Sequence, residues 1–296
     1  LGEAGQGRGA EEVSVRKRMP QGSKPCQLPF RCAVFRPCRE REPMAGLWGF
    51  SFSIRWGIGE GKLEWETVML DIVMEDEAVI VVRKPAGVES QGGRGFSMDL
   101  ESEIRNYLYR KSGGRTSYVG VIHRLDRPVC GVMVYAKTKQ AAADLSRQVQ
   151  NGTMKKRYYA ILCGRMHPEK GTLEDYLVKD GRTYLSRVAD KTVKGAKKAV
   201  LHYETVDFSV FHGLDGLLSA AGGEEGERSM VEIELITGRH HQIRVQFSHA
   251  GCPLLWDTRY NPDFAGKRGG PMIGLCAHSL SFVHPVTGRR QTFTWE

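Results

Sequence analysis

The chain has no Cys-x-x-Cys pair, no apolar stretch approaching the length of a membrane span, and no histidine in its first 68 residues. Each absence removes a class of protein. The seven cysteines, at positions 26, 32, 38, 130, 163, 252 and 276, are odd in number and scattered through hydrophobic segments. That is not a disulfide framework, and it fits a reducing cytoplasm. The first three, with five residues between neighbours, miss the usual zinc-ligand spacings and have no nearby imidazole, so structural zinc is not expected there. Without an apolar span or the apolar core of a signal peptide, neither membrane insertion nor secretion is expected. What the sequence does have is an excess of cations, 43 Lys and Arg against 34 Asp and Glu for a formal charge of +9. That balance favours a polyanionic partner, although a merely soluble basic protein shares it. The 296 residues, 41% hydrophobic, suffice for one large domain or two smaller ones.

Residues 1–68 are rich in Gly, Arg, Pro and Glu and show no sustained period before Leu47-Trp48, so they read as a flexible N-terminal extension. They hold 11 basic and 8 acidic side chains, which leaves most of the positive excess to residues 69–296. Trp65-Glu66 must be encoded by TGGGAR, a purine-rich, ribosome-binding-like stretch two codons before Met69. On that reading the extension is an upstream region translated in frame. The alternative is a basic arm that adds weak, salt-sensitive attraction for a polyanion.

Met69 opens a domain pattern: residues 70–73, an acidic turn at Glu75-Asp76-Glu77, then an apolar strand over 78–82. Ser97 is placed to cap a helix with Leu100, Ile104 and Leu108 on its apolar face, ending near Gly113-Gly114. Thr138 is placed to cap a second, with Ala142, Leu145 and Val149 inward and Gly152 beyond its end. Strands are expected over 131–135, 158–162, 200–206 and 231–235, and residues 213–227, rich in Gly and Glu, read as an excursion between two of them. The balance is α+β, with two helices and a mainly antiparallel sheet.

Two segments carry chemistry. In Val121-Ile122-His123-Arg124-Leu125-Asp126-Arg127-Pro128 an acid sits among bases just before an apolar strand. Such a carboxylate stays ionised and is held by a guanidinium, although this segment alone reads more simply as a loop salt bridge. In Leu235-Ile236-Thr237-Gly238-Arg239-His240-His241-Gln242-Ile243-Arg244-Val245 donors gather at a strand end, where a turn at Thr237-Gly238 exposes them. Adjacent His240 and His241 point apart, and no carboxylate or cysteine cluster is spaced to join them, so anion or phosphate contact is expected rather than metal.

At this point a resemblance becomes specific over roughly residues 70–296. His123-Arg124-Leu125-Asp126 with Gly131 resembles the HRLDxxTSG signature of the RluA-type pseudouridine synthases, and Arg83-Lys84-Pro85-Ala86-Gly87 resembles that family's NKPAG motif. Lys156-Arg157-Tyr158-Tyr159-Ala160 is similar to its KxYxA strand, the run from Thr237 to Arg244 to its TGRxHQIR, and Phe282-Val283-His284-Pro285-Val286-Thr287-Gly288 to its FxHPxTG. The resemblance implies Asp126 as catalytic acid, Tyr158 as the aromatic against the target base, Arg244 as the carboxylate's ionic partner, and Arg124 holding a flipped nucleotide. His123, Lys156, Arg239, His241 and Gln242 follow as RNA-binding residues. It implies also a mixed, mainly antiparallel sheet with flanking helices in one catalytic domain, 69–296, acting as a monomer on structured ribosomal or transfer RNA without cofactor or metal.

The bland readings stand beside these. Tyr158 suits a core tyrosine, Lys155-Lys156-Arg157 a solvated strand entrance, and Lys191, Lys194, Lys197 and Lys198 a mobile basic edge with RNA contact secondary. Three departures touch the motifs: Val129-Cys130 replaces Thr-Ser, Trp256 replaces the glycine before Asp257, and Cys276 replaces the histidine of an LHA triplet. They bear on substrate preference and positioning. Two rivals follow, a non-catalytic RNA-binding protein and a carboxylate-dependent nucleoside hydrolase, the latter needing a second acid where the motifs supply only bases.

A chain beginning at Met69 is expected to fold and act as the full one does, because residues 1–68 lack the periodicity to dock on a core. A stability loss beyond about 1–2 kcal/mol on truncation, read by urea denaturation, would show that the extension packs.

Overall fold

The computed structural model describes residues 70–92, 99–210, 226–267 and 272–295. The N-terminal extension, Ser97 and most of 213–227 lie outside the described residues. Strand β1 (Asp71–Glu75) turns through Asp76 into β2 (Val79–Lys84), with Asp76 Oδ1 accepting from the amides of Ala78 at 2.8 Å and Val79 at 2.9 Å. Then follow α1 (Leu100–Lys111), β3 (Gly120–Val121), β4 (Cys130–Ala136), α2 (Lys139–Gln150) and β5 (Lys155–Cys163). The second half adds β6 (Lys170–Lys179), β7 (Ser186–Val188), β8 (Lys197–Val206), β9 (Arg228–Leu235), α3 (Gln242–His249), β10 (Leu275–Val283) and β11 (Arg290–Thr294).

The strands form one sheet in the order β1-β2-β4-β10-β5-β9-β8-β6-β7, with β11 also on β10 and β3 on β4. The β4–β10 pair is parallel and the other recorded pairs are antiparallel. The expected α+β fold with a mixed, mainly antiparallel sheet is therefore observed. Unbroken apolar runs in β2 and β4 reflect burial on both faces. Ile80, Val82, Met133 and Tyr135 face one core with Leu100, Ile104 and Leu108 of α1, whereas Val79, Val81, Val132 and Val134 face another with Ala141 and Leu145 of α2. Toward the other end, β8 alternates as a one-sided strand does, with Ala199, Leu201 and Tyr203 buried and His202 and Glu204 exposed. Ile243 and Phe247 put α3 on the α1 side of the sheet.

Two expectations are corrected. The cap of α1 is Asp99, whose carboxylate accepts from the Ser102 amide at 3.0 Å and hydroxyl at 2.8 Å. Ser97 stood two residues too early. A third helix, α3, occupies a segment read as exposed turn and donors. Its polar residues conceal the helical period, because Gln242, Arg244 and Gln246 are themselves buried. Thr138 caps α2 as expected, accepting from Ala141 N at 3.1 Å, and Ala142, Leu145 and Val149 pack inward as expected, beside the more deeply buried Ala141.

Gly131 holds the β4–β10 crossing. It sits at φ +148, and a Cβ there would stand 2.4 Å from the Ala277 side chain and 2.6 Å from the Ala277 carbonyl oxygen. Gly131→Ala is expected to destabilise the protein by about 3 kcal/mol or more, since both strain and overpacking apply, and a shifted urea midpoint would read it.

Candidate active site

The loop between β3 and β4 carries Asp126 and is held from below by the end of β2 and the residues after it. Lys84, 0% exposed, donates from Nζ to the carbonyls of Pro85 at 3.0 Å, Val88 at 2.7 Å and Arg127 at 3.3 Å. Burial pushes its amine down to about 8. Gly87 N donates to Arg127 O at 2.8 Å, and Arg127 Nε donates back to Gly87 O at 2.9 Å. The Ser90 hydroxyl accepts from Leu125 N at 3.0 Å and lies 2.9 Å from Leu125 O. Asp126 is thus flanked on both sides by pinned backbone.

Above the loop stands Arg244 of α3, 4% exposed, with its guanidinium divided between two carboxylates. Nε and Nη2 each donate to Asp257 at 2.7 Å, and Nη1 donates to Asp126 Oδ2 at 3.0 Å. Burial by itself would pull the guanidinium down, but the bonds it donates to Asp257 and the charges of both acids hold it above its ordinary value. The expected Asp126–Arg244 pair is present, and the bidentate partner is Asp257. Asp257, 0% exposed, also accepts from the amides of Arg259 at 3.0 Å and Tyr260 at 3.2 Å.

Tyr260 joins these parts. Its hydroxyl accepts from Ser186 N at 2.8 Å and lies 2.7 Å from His241 Nδ1, and its ring centroid is 5.1 Å from the Arg244 guanidinium carbon. His241 Nε2 lies 3.6 Å from Asp126 Oδ2. This is not an ion pair at neutral pH, because burial holds His241 down to about 4 despite the pull of Asp126. His240 and His241 do not point apart: the left-handed backbone of His241, φ 53, stacks their rings at 3.7 Å.

A cavity of about 900 Å³ opens over Asp126. Tyr158, 6% exposed, lines it from β5, with its phenol pushed up by burial and then by the Asp126 charge. Lys156 lines it too, its amine held below the ordinary value by burial, whereas Lys155 and Arg157 pair outside with Glu234 and Glu232. Arg124 and Arg239 are exposed at its edge, Arg239 Nε donating to Lys198 O at 2.9 Å. His123 is held down to about 3 by burial and then by Lys156; its Nε2 accepts from Val134 N at 3.4 Å, and its Nδ1 is buried without a partner. Gln242 differs from expectation. Its carbonyl accepts from Thr237 Oγ1 at 2.8 Å and Arg239 N at 3.0 Å, and its amide donates to Val200 O at 3.1 Å and Gln246 Oε1 at 3.0 Å. Those bonds spend the side chain on holding the 237–242 turn rather than on a ligand.

The three departures gather behind and beside this site. Cys130 and Cys276 are register partners across β4–β10, both buried, and a thiol hydrogen bond lowers Cys130 while burial raises Cys276. Trp256 lines the cavity at φ 58, a backbone conformation that favours glycine. Asp257 and Tyr260 were missed as site residues. The family-like position of Asp257 could have marked it; nothing local marks Tyr260. No group of three or more metal-ligating side chains occurs among the described residues, and no helix among them is long and apolar enough to cross a membrane.

The family model described as RNA pseudouridylate synthase matches residues 78–249. The ribosomal large subunit pseudouridine synthase D of Neisseria meningitidis serogroup B is 34% identical over 77% of this chain and 58% of its own length. An uncharacterized RNA pseudouridine synthase of Bacillus subtilis, YjbO, is 35% identical over 77% of this chain and 72% of its own. The match spans 65%, 64% and 58% of three such relatives, less than two thirds of each. In fold, the human RNA pseudouridylate synthase domain containing 4 superposes with a TM-score of 0.58 at 19% identity, covering 76% of this chain and 88% of that one.

Arg244→Ala is expected to cost about 3–5 kcal/mol of stability, because it leaves Asp257 as a buried charge without its fork. Arg244→Lys should recover part of this, since an ammonium keeps the charge but cannot hold both carboxylates. Urea denaturation of the three proteins at one pH would read the order; equal stabilities would show that Asp257 does not depend on the fork.

Proposed function

The chain belongs to the RNA pseudouridylate synthase family, and on that premise we propose that it converts uridine in structured ribosomal or transfer RNA to pseudouridine, with Asp126 as the reacting carboxylate. The observation that carries this reading is the geometry of Asp126. One of its oxygens is tethered at 3.0 Å to a buried guanidinium, while 28% of the side chain stays open to the cavity beside Tyr158.

A uridine inside folded RNA must leave its stack before its glycosidic bond can be reached. Its replacement contacts are an aromatic face and a long cation, and Tyr158 and Arg124 supply both types in one cavity. The carboxylate then either attacks the sugar, displacing N1 and itself leaving when carbon-5 attacks, or removes a sugar proton that it returns before the product forms. The bond from the sugar to N1 of the base breaks, the base turns, and a bond from the sugar to carbon-5 forms as the carbon-5 hydrogen is lost and N1 regains a proton. No electron is gained or lost, so the step calls for no redox partner. Arg244 holds the carboxylate aimed through its 3.0 Å hydrogen bond, and the neutral His241 adds no positive charge beside it. Exposed Arg124, Arg127, Arg239 and Arg259 at the cavity suit phosphates.

The hydrolase rival needs a second acid to activate water. Asp257 is acidic and near, but both its oxygens are taken by Arg244 and it is fully buried, which disfavours that role.

Asp126→Asn is expected to lower pseudouridine formation on the order of 10⁴-fold or more, the scale of removing a reacting group. RNA binding should survive or tighten slightly, because phosphate contacts carry the affinity and one negative charge is gone. Incubation with uridine-labelled RNA separates the readings: isomerised uridine supports the synthase, released base the hydrolase, and no change the binding protein. Pseudouridine formation near the wild-type rate by pure Asp126→Asn protein would remove the mechanism.

A further inference from the structure

Among the described residues, three that are not glycine have a left-handed backbone: Tyr184 (φ 53), His241 (φ 53) and Trp256 (φ 58). All three carry rings, and all three line the cavity over Asp126. Backbone strain of this kind persists where surrounding structure imposes it, and it points toward functional surfaces. His241 and Trp256 are largely covered, but Tyr184 is 53% exposed. Of the large exposed hydrophobic side chains among the described residues, Tyr184 is the one at the cavity.

The turn that carries Tyr184, between β6 and β7, is closed by its own backbone. Asp180 N donates to Leu185 O at 2.8 Å, Tyr184 N donates to Asp180 O at 3.1 Å, and Asp180 Oδ1 accepts from the amides of Arg182 at 2.7 Å and Thr183 at 3.1 Å. The tyrosine ring takes no part in that closure, so the turn does not explain why an aromatic residue stands at a strained position. The place of the turn relative to Asp126 is set by a relay. Ser186, two residues on, binds Tyr260, which binds His241, which abuts Asp126. Beside the ring, Lys179 Nζ lies 5.4 Å from its centroid and lines the same cavity.

We propose that Tyr184 and Lys179 form a subsite for a nucleotide flanking the target uridine, the base stacking on the Tyr184 ring and the phosphate meeting the Lys179 ammonium. The inference rests on the proposed function for the identity of the polymer. Flipping a uridine unstacks its neighbour as well, and an exposed aromatic face accepts any base, so the subsite contributes affinity with little sequence preference.

The test measures affinity of the full chain for a fluorescein-labelled twelve-nucleotide polyuridylate at several salt concentrations, alongside pseudouridine formation in unmodified ribosomal and transfer RNA. Tyr184→Phe keeps the ring and should bind within about two-fold of wild type. Tyr184→Asn suits the left-handed backbone and removes the ring, and it should bind about ten-fold more weakly with an unchanged salt slope. Lys179→Ala should lower the slope by roughly one counterion instead. Failure of wild type to bind the oligonucleotide at low salt, equal affinities for wild type and Tyr184→Asn, or equal losses for Phe and Asn would overturn the subsite. If the ring-dependent binding holds while no uridine is isomerised in the structured RNA, the proposed function fails, and Tyr184 and Lys179 remain a nucleotide-binding site with no target uridine to flank. If isomerisation proceeds and Tyr184→Asn changes neither affinity nor rate, the reverse is true.

Discussion

A guanidinium that is 4% exposed cannot be left unpaired, and much of the site follows from how Arg244 meets that constraint. Asp257 takes two of its nitrogens and Asp126 takes the third. The two acids have different duties as a result. Asp257 is closed in, spent on the fork and on two backbone amides, whereas Asp126 gives up one oxygen and keeps the rest of its carboxylate toward the cavity. Because the fork is planar, fixing it on Asp257 also fixes the direction in which Nη1 points, so a buried ion pair aims the Asp126 carboxylate.

The opposite side of Asp126 is held without charge pairing. Lys84 is buried among three carbonyls and Ser90 clamps Leu125, so the loop has little freedom on the β2 side. Placing an ammonium among carbonyl oxygens compensates its burial only in part, which is why its amine is held down to about 8. The loop is gripped between segments more than a hundred residues apart in sequence, one after β2 and one on α3. The parallel β4–β10 contact, with Gly131 against Ala277, brings the C-terminal part of the chain alongside the strand that the loop leads into.

Charge at the cavity is arranged by burial as much as by residue type. His123 and His241 are held near 3 and 4 by desolvation, so at neutral pH neither adds a positive charge beside Asp126. The cations that remain at the rim, Arg124, Arg127, Arg239 and Arg259, are exposed and free of that cost. Exposed cations at the edge therefore coexist with neutral imidazoles and a paired guanidinium around Asp126 in one cavity.

What the sequence determined by itself is the part governed by local pattern. Period-2 and unbroken apolar runs located β2, β4, β5, β8 and β9, and periodic Leu100, Ile104 and Leu108 located α1, because burial selects apolar side chains at fixed spacing. The motif residues Asp126, Tyr158 and Arg244 were legible as types, and the chain places all three at one cavity. Tertiary structure decided the rest. Helix α3 was hidden because its buried face is polar, made of Gln242, Arg244 and Gln246, and such residues are buried only when distant strands supply partners such as Val200, Ala199 and Asp175. The same reason turns Gln242 from an exposed donor into an internal tie, and makes Asp257 the fork's main partner. Tyr260 has no local signature at all, since its role consists of contacts with Ser186, His241 and Arg244 that are remote or on another element. Residue types can be read along the chain; which donor satisfies which acceptor is settled when the sheet closes and water is excluded.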